Sequence, residues 1–312
     1  MHPHRTFVLA TVALIGLTAG LSAPAYAADT VSITDPHEVA HFDVSTSQQP
    51  ENLALEPNGS VDLTFNRALE VARVSPDGSL TVLATLPQDA AGNAIVSGIV
   101  RMADGTLYVN YNAGSQSGIW RIPPNGATPQ QVVAVPGAGA LNGLAYDAEQ
   151  NALYATDSSL GLVWKISLTD DTATIWAQGT QLQPTTATGK GANGLKVHDG
   201  AVWVSNTTLG TLLRIPIERD GSAGATSVAA QGVTGIDDFA FAPDGEVVAA
   251  QNAISEASIV NVRTGAHTVV LTAADSLSNP TSVAIRGNTV YIASGAYFTR
   301  TDPNLLVGTL TR

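Results

Sequence analysis

One arrangement of apolar and polar residues recurs six times along the 312-residue chain. Each copy holds an apolar segment of strand length, a tight turn, and a second apolar segment that ends in small polar residues. The copies read ENLALEPNGSVDLTFN from Glu51, SGIVRMADGTLYVNYN from Ser97, NGLAYDAEQNALYATD from Asn142, NGLKVHDGAVWVSN from Asn193, DDFAFAPDGEVVAAQN from Asp237 and TSVAIRGNTVYIAS from Thr281. Strand copies that repeat about every 45 residues are typical of a β-propeller, in which each copy forms one blade.

Further apolar segments follow each copy and predict four strands per blade. In the first blade we expect the strands at 51–56, 60–66, 69–75 and 79–85. Their connections are Pro57-Asn58-Gly59 and Pro76-Asp77-Gly78, and the second blade repeats the scheme with Asp104-Gly105 and Asn125-Gly126. Such pairs favour tight hairpin turns because Gly accepts positive φ without steric cost.

The sixth copy is incomplete, because only one apolar segment, LLVGTL at 305–310, follows its second strand. A strand-like segment, HEVAHFD at 37–43, precedes the first copy. We therefore predict an all-β, six-bladed β-propeller of four-stranded antiparallel blades, closed by an N-terminal strand that completes the last blade. Such closure leaves only short, protected sheet edges. Residues 179–191 are the longest polar break, and we interpret them as a loop between blades.

The first 27 residues have the features of a secretory signal. A weakly basic start that includes Arg5 precedes an apolar run at 7–21 and an A-x-A cleavage site at 25–27. The run is too short for a comfortable membrane span, and an uncleaved N-terminal anchor is the alternative. We predict that residues 1–27 are cleaved, that residues 28–312 form one propeller domain, and that the protein is secreted without membrane attachment.

Composition limits the chemistry open to the chain. Its 26 acidic and 14 basic residues give a formal net charge of −12, which opposes binding to nucleic acid or anionic membranes. The absence of cysteine excludes disulfides, thiol catalysis and zinc–thiolate sites. No phosphate-binding loop and no GxSxG motif occurs either. Oxygen-donating side chains are the candidates that the repeat itself supplies.

The first residue of each copy carries that candidate chemistry. The first strand of each propeller blade lines the central channel, so equivalent positions meet on one ring. Glu51, Asn142, Asn193 and Asp237 would then converge as two carboxylates and two amides. This hard-oxygen set favours Ca²⁺, with Mg²⁺ or another divalent cation as the alternative. Without a cation the two carboxylates would repel one another in a constricted channel.

The pairs Asn142-Gly143 and Asn193-Gly194 have a second interpretation, as turn dipeptides that only shape the loops between blades. Each copy, however, already has a hairpin turn further along. The Asn-Gly pairs therefore stand at the entrance of a strand, where a ligating role is also open to them.

The repeat length, the blade number and the order Glu, Asn, Asn, Asp resemble the senescence marker protein (regucalcin)/gluconolactonase family. They are also similar to the calcium-dependent lactonases, paraoxonases and diisopropyl-fluorophosphatases. The resemblance implies a catalytic divalent metal at the channel mouth, held by ligands from the first, third, fourth and fifth blades. By this resemblance Glu51, Asn142, Asn193 and Asp237 are the metal ligands and Asp237 is the catalytic acid. The Asp237-Asp238 pair is similar to the acid-plus-polar pair of paraoxonase-like proteins.

The chain departs from these families in three places. Asn52 follows Glu51 where gluconolactonases often have Gly, and Ala140 stands where regucalcin-like members carry an Arg that helps to bind sugar acids. A sugar-acid lactone is therefore a poor fit as substrate. Paraoxonases use a His pair near the metal, whereas the histidines after the signal fall outside the expected channel: His37, His41, His198 and His267.

Other polar residues are expected near the ring. The second strand of each blade returns to the channel entrance, which brings Asp157 and Asn206 towards the metal. Ser97 and Thr281 complete the ring, and with Asp238 they could contact a water molecule or the substrate. Polar residues commonly end strands, so Asp157 and Asn206 also have a purely structural interpretation.

The leading functional hypothesis is a secreted Ca²⁺-dependent hydrolase of the lactonase type, in which the metal polarises an ester or lactone carbonyl. One alternative is a non-catalytic binding propeller with a structural metal, since the fold alone does not settle function. Another is a metal-free propeller similar to strictosidine synthase. We expect a monomer that acts on a small molecule whose identity the sequence does not give.

Overall fold

β-strands joined by turns and loops form the described chain, with four short 3-10 turns as its only helical segments there. The computed structural model describes Met1, residues 31–124 and residues 126–312. Apart from Met1, the predicted signal at 1–27 lies outside the described residues, and so does Asn125 of the predicted Asn125-Gly126 turn. None of the helices in the described ranges is long and apolar enough to cross a membrane.

Val31–Arg312 forms one unit that contains six sheets of four strands each. The chain opens with β1 (Ser32–His41). The first blade comprises β2 (Pro50–Leu55), β3 (Val61–Phe65), β4 (Glu70–Val74) and β5 (Leu80–Thr85). The second comprises β6 (Ile95–Arg101), β7 (Leu107–Asn112), β8 (Gly118–Ile122) and β9 (Gln130–Ala134). The third comprises β10 (Leu141–Asp147), β11 (Ala152–Asp157), β12 (Leu162–Ser167) and β13 (Thr172–Gln178).

The remaining three blades follow the same plan. The fourth comprises β14 (Ala192–His198), β15 (Ala201–Asn206), β16 (Thr211–Pro216) and β17 (Ser227–Gln231). The fifth comprises β18 (Ile236–Phe241), β19 (Val247–Gln251), β20 (Glu256–Val260) and β21 (His267–Leu271). The sixth comprises β22 (Pro280–Arg286), β23 (Thr289–Ser294), β24 (Asn304–Thr311) and β1. Short 3-10 turns occur at Val44–Thr46, Gly114–Gln116, Asn252–Ile254 and Ala273–Asp275.

This architecture confirms the predicted six-bladed propeller of four-stranded antiparallel blades. The N-terminal strand also closes the ring as predicted, because β1 pairs antiparallel with β24 from Ser32↔Thr311 to His41↔Asn304. β1 begins earlier than the segment 37–43 that marked it in the sequence. The loop expected at 179–191 connects β13 to β14 and therefore lies between the third and fourth blades.

Glycines form the tight hairpin turns of the first blade. Gly59 and Gly78 adopt φ of +92° and +83°, a region that favours glycine over residues with a side chain. A Cβ atom at Gly78 would also stand 2.3 Å from the backbone oxygen of Val39. The outer turn of the first blade therefore packs directly on the closing strand.

Apolar side chains from adjacent blades form the core. One cluster joins the first and second blades, for example through Val71 and Val109, and the cluster that joins the sixth and first blades contains Ala293 and Leu63. Large aromatic side chains in these strands are buried as the strand pattern predicts: Trp120, Trp164 and Trp203. Packing between blades thus fixes the inner strands around the central channel.

Candidate functional site

The inner strand of every blade is irregular at the point where it carries the first residue of its copy. In β10 the pairing with β11 shifts between Leu141 and Leu144, so that Asn142 and Gly143 leave the regular ladder. Equivalent shifts occur in the inner strands of the other blades: β2, β6, β14, β18 and β22. A bulge bends its strand and redirects a side chain. The repeated bulge therefore brings the six leading residues to one level of the channel.

The glycines that follow the two ring asparagines serve close packing of neighbouring inner strands. A Cβ atom at Gly143 would stand 2.6 Å from the backbone oxygen of Asn193, and one at Gly194 would stand 2.5 Å from Cα of Asp238. Both glycines lie inside strands and not in hairpin turns. Of the two interpretations that the sequence leaves open, the turn dipeptide does not describe these pairs.

Side chains from second strands support the backbone of the ring. In four successive blades a hydroxyl or amide group of the second strand donates to the carbonyl of the ring residue in the next blade. The pairs are Thr64 to Ser97 at 2.6 Å, Asn110 to Asn142 at 2.7 Å, Thr156 to Asn193, and Ser205 to Asp237 at 2.5 Å. Sequence reasoning missed these donors, although they occupy one phase of the repeat.

A cavity of about 300 Å³ opens at the ring. Five of the six leading residues line it: Glu51, Ser97, Asn142, Asn193 and Asp237. Its other lining residues come from loops and strand ends: Asn66, Arg67, Ile95, Ala140, Leu141, Lys190, Thr207, Asn252, Ala253, Tyr297 and Phe298. The structure thus brings together all four predicted metal ligands in one cavity, and no histidine of the described residues lines it.

Glu51 forms the first acidic centre of the cavity. It is 7% exposed, and its Oε1 accepts a hydrogen bond of 2.9 Å from Nδ2 of Asn142. Its Oε2 accepts a hydrogen bond from the hydroxyl group of Tyr297, which lies in the loop between β23 and β24. Sequence reasoning missed Tyr297, because nothing in the repeat indicates which loop folds over the ring.

Asp237 forms the second acidic centre. It is 8% exposed, and its Oδ1 accepts a hydrogen bond of 2.5 Å from Nδ2 of Asn193. The same amide group donates to Thr207 at 2.8 Å, while Oδ1 of Asn193 accepts from the hydroxyl of Ser158 at 3.2 Å. Each buried carboxylate is therefore held by one ring asparagine.

Burial and mutual repulsion set the electrostatics of the two acids. Burial is the main factor that raises the pKa of Asp237 well above its usual value, followed by the negative charges of Glu51 and Asp238. Burial likewise raises the pKa of Glu51, against hydrogen bonds from Tyr297 and Asn142 that lower it. The ring thus holds two carboxylates whose charges are unfavourable without a counter-charge.

The donor set fits a divalent cation. Among the described residues, neither Glu51 nor Asp237 forms an ion pair with a basic side chain. The Asn193 amide can rotate by 180° and exchange its nitrogen and oxygen, since the hydroxyls of Ser158 and Thr207 can each donate or accept. That rotation turns an amide oxygen towards Asp237, which is favourable only with a cation beside them. Two carboxylates and amide oxygens are the ligands that Ca²⁺ prefers.

Asp157 and Asn206 lie outside the cavity lining. The carboxylate of Asp157 accepts backbone N–H groups of Gly139 and Ala140 at 2.7 and 2.9 Å. The amide of Asn206 donates to two carbonyls of the 179–191 loop, each at 2.9 Å. Both side chains therefore secure loops at the channel entrance instead of facing the cavity.

Two predicted site residues do not line the cavity: Asp238, which follows a ring residue, and Thr281, the sixth ring residue. Asp238 forms an ion pair with Lys196, with distances of 2.6 and 2.8 Å from Nζ to the two carboxylate oxygens, and accepts a hydrogen bond of 2.6 Å from Ser282. Thr281 donates to the backbone oxygen of Pro50 at 3.0 Å. These two residues tie neighbouring inner strands together.

Comparison with known proteins identifies the fold. The chain matches no protein-family model and no curated protein. A gluconolactonase from Xanthomonas campestris is 15% identical with a TM-score of 0.68, and the match covers 91% of this chain and 96% of that one. A virginiamycin B lyase from Staphylococcus aureus is 13% identical with a TM-score of 0.61, covering 90% and 100%. An aldose sugar dehydrogenase from Streptomyces coelicolor, with PQQ bound, is 16% identical with a TM-score of 0.63, covering 90% and 98%.

At sequence identities this low, the structural similarity shows only that the fold is shared. The three enzymes are named for three different activities, and one scaffold can host unrelated sites. The activity must therefore be argued from the ring residues of this chain. What the comparisons establish is that the chain shares the propeller fold of gluconolactonases and virginiamycin B lyases.

Proposed function

We propose that this protein is a secreted, divalent-metal-dependent hydrolase of the lactonase type, with Ca²⁺ as its metal. One observation carries the proposal: Glu51 and Asp237 lie buried on the same ring, each held by an asparagine amide and neither paired with a basic side chain. Buried charges are costly unless they are paired or bind metal. Two such carboxylates at the bottom of an open cavity are a reason to expect a cation.

The proposed ligands are Glu51, Asn142, Asn193 and Asp237. A metal bound there supplies Lewis acidity towards a lactone or ester carbonyl and stabilises its developing negative charge. Asp237 is the residue proposed to accept a proton from the attacking water or to attack the carbonyl directly. The hydroxyl of Tyr297 fixes the orientation of the Glu51 carboxylate through the hydrogen bond between them.

Two further observations support this class of reaction. The cavity of about 300 Å³ is at the lower limit of the range usual for small-molecule sites. A gluconolactonase shares the fold over nearly the whole chain. Ala140 lines the cavity where regucalcin-like proteins have the Arg that helps to bind sugar acids, so the proposed substrate is not a sugar-acid lactone.

The first prediction concerns turnover. Hydrolysis of a panel of lactones and esters should require Ca²⁺, stop after chelation and return when Ca²⁺ is restored. The substitution Asp237→Asn should lower kcat by roughly 10²- to 10⁴-fold, the range for loss of a general base. Asp220→Asn is the matched control, because Asp220 lies in an exposed turn and should leave the rate unchanged. Activity that ignores the chelator and Asp237→Asn would contradict the proposal.

A metal-free or purely binding propeller is the second candidate. It is favoured by the hydrogen bonds that Asn142, Asn193 and Tyr297 already donate to the two carboxylates. It is also favoured by the Lys190 ammonium group, which lowers the pKa of both acids. Calorimetric titration with Ca²⁺ separates the candidates: a binding signal without turnover indicates a structural metal, and no signal indicates a metal-free site.

A further inference from the structure

Two basic side chains approach the cavity from opposite sides. Arg67 lies just beyond the end of β3 in the first blade, and Lys190 lies just before β14 in the fourth. The first and fourth blades face one another across a ring of six. Both side chains are exposed and line the cavity, so their charges are available to a ligand.

Neither of these charges is neutralised by the protein. Within the part of the chain that the structure describes, Arg67 and Lys190 form no ion pair. Other basic residues do find acidic partners: Arg73 pairs with Asp62, and Lys196 pairs with Asp238. The chain has 26 acidic residues against 14 basic ones, so unpaired cations on both sides of one cavity are not what its composition predicts.

The carboxylates of Glu51 and Asp237 do not form an ion pair with Lys190. Lys190 is close enough to act electrostatically on Glu51 and Asp237, yet its Nζ does not come within ion-pair distance of either. When the proposed metal balances the two carboxylates, Lys190 is left for another anion. Arg67 acts on Tyr297 in the same long-range manner.

The cavity wall between the two charges is largely apolar. Ile95, Leu141 and Ala253 contribute to it, together with Phe298 from the loop that follows β23. Phe298 is 69% exposed, more than any other large hydrophobic side chain between residues 31 and 312 of the described chain. An exposed aromatic ring beside a cavity provides a surface for an apolar ligand.

We infer that the cavity binds a small molecule with an anionic group, a carboxylate or a phosphate, attached to an apolar body. The anion binds between the Arg67 guanidinium and the Lys190 ammonium, and the apolar body packs on Phe298. This inference names the substrate class of the proposed hydrolase, and it rests on the proposed function only for what happens after binding. In this arrangement the two basic side chains hold an anionic lactone or ester at the mouth of the cavity, with its carbonyl group directed towards the ring residues.

Calorimetric titration tests binding without turnover. The probes are benzoate, phenyl phosphate and the neutral benzamide, each titrated into the full protein with CaCl₂ and again with chelator. We expect one of the anions to bind and benzamide to bind at least about tenfold more weakly. Arg67→Gln and Lys190→Gln should each weaken binding of that anion about fivefold, the upper value for an exposed ion pair. Arg263→Gln, in an exposed turn, is the matched control and should change nothing.

The outcomes are separable from those of the hydrolysis test. The inference is overturned if neither anion binds, if benzoate, phenyl phosphate and benzamide bind equally, or if anion binding is unchanged in the variant that combines Arg67→Gln with Lys190→Gln. Anion binding that requires CaCl₂ and is unchanged by Arg67→Gln and Lys190→Gln also overturns it, because the anion is then a ligand of the metal. Anion binding that depends on Arg67 and Lys190 supports it even if no lactone is hydrolysed. The stronger of the two anionic probes identifies the carboxylate or the phosphate as the preferred group.

Discussion

The two ends of one inner strand carry acids in opposite situations. Glu51, the second residue of β2, lies at the cavity, and Glu56 follows the other end of the strand. Glu56 accepts a hydrogen bond of 2.6 Å from Arg73, which also binds the fully buried Asp62 at 2.7 and 2.9 Å. Arg101 adds a further ion pair to Glu56 at 2.8 Å. Glu51 is just as buried but has only neutral donors, Asn142 and Tyr297.

The difference between these ends separates structural acids from candidate functional ones. A buried charge that is already paired with an opposite charge is part of the scaffold. Removing one partner of such a pair should lower the free energy of unfolding. A buried charge without one carries an energetic cost that a ligand can relieve. Asp237 and Asp238 repeat the contrast between adjacent residues, because only Asp238 has a basic partner, Lys196.

The largest expected effect on stability comes from replacing Arg73, the basic partner of the acids at the Glu56 end of β2. Arg73→Met should lower the free energy of unfolding by about 3 kcal/mol, since it leaves the Asp62 carboxylate buried and unpaired. We take the low end of the usual range because the Arg73 side chain is 28% exposed. Asp237→Asn should leave the free energy of unfolding of the metal-free protein unchanged or higher, because it removes an unpaired buried charge. Denaturant unfolding measures both.

Arg263→Met controls for the loss of an arginine on an exposed turn and should have little effect. If Asp237→Asn destabilised the metal-free protein as much as Arg73→Met, the distinction between the two ends would fail. Asp237 would then be a structural acid like Asp62.

Binding of Ca²⁺ to the ring residues should have a smaller effect on the free energy of unfolding. Ca²⁺ at about 100 times its Kd should raise the free energy of unfolding by about 2.7 kcal/mol, because it binds only the folded ring. Glu51→Gln should abolish this gain. Asp302→Asn is the control, because Glu38, His41 and Asp302 place ligand atoms within 4.8 Å of one another away from the ring. A gain that survives Glu51→Gln and disappears with Asp302→Asn would locate the cation outside the cavity.

The sequence predicted the scaffold well because the scaffold is what repeats. Hairpin glycines such as Gly59, the blade number and the closing strand all follow from local pattern, and the structure confirms them. The ring could be located because Glu51 and Asp237 share one phase of the repeat. The bulge that aims them into the channel leaves no signal in a single copy, since it depends on the packing of six inner strands.

The upper part of the cavity could not be predicted, because it is built from loops. Tyr297 and Phe298 reach the mouth because Ala296 adopts φ of +49° and because Oδ1 of Asn279 accepts the backbone N–H groups of Phe298 and Thr299 at 2.8 and 2.9 Å. Such tertiary contacts have no local sequence pattern. The same limitation applies to Asp157, whose place in the repeat suggested the cavity while its carboxylate binds loop amides.

The smallest expected effect concerns Asp302, a half-buried acid that pairs with His41. Nδ1 of His41 on the closing strand lies 2.7 Å from Asp302, and this hydrogen bond is the main factor that raises the pKa of His41 above 6.5. A raised histidine pKa stabilises the fold fully below pH 6.5, and the gain is lost as the pH rises through the higher folded value. The gain should be at most about 1 kcal/mol, because the His41 side chain is 62% exposed. Unfolding measured from pH 5 to 8 should show a decline in every variant, because the raised pKa values of the buried Asp237 and of Asp62, about 6 for the latter, also lower stability as the pH rises. The decline should be smaller in His41→Gln than in the wild type and in His267→Gln. An equal decline in His41→Gln and in the wild type would show that His41 contributes none of it, and a difference of several kcal/mol would mean that pairing alone, without full burial, makes an acid structural.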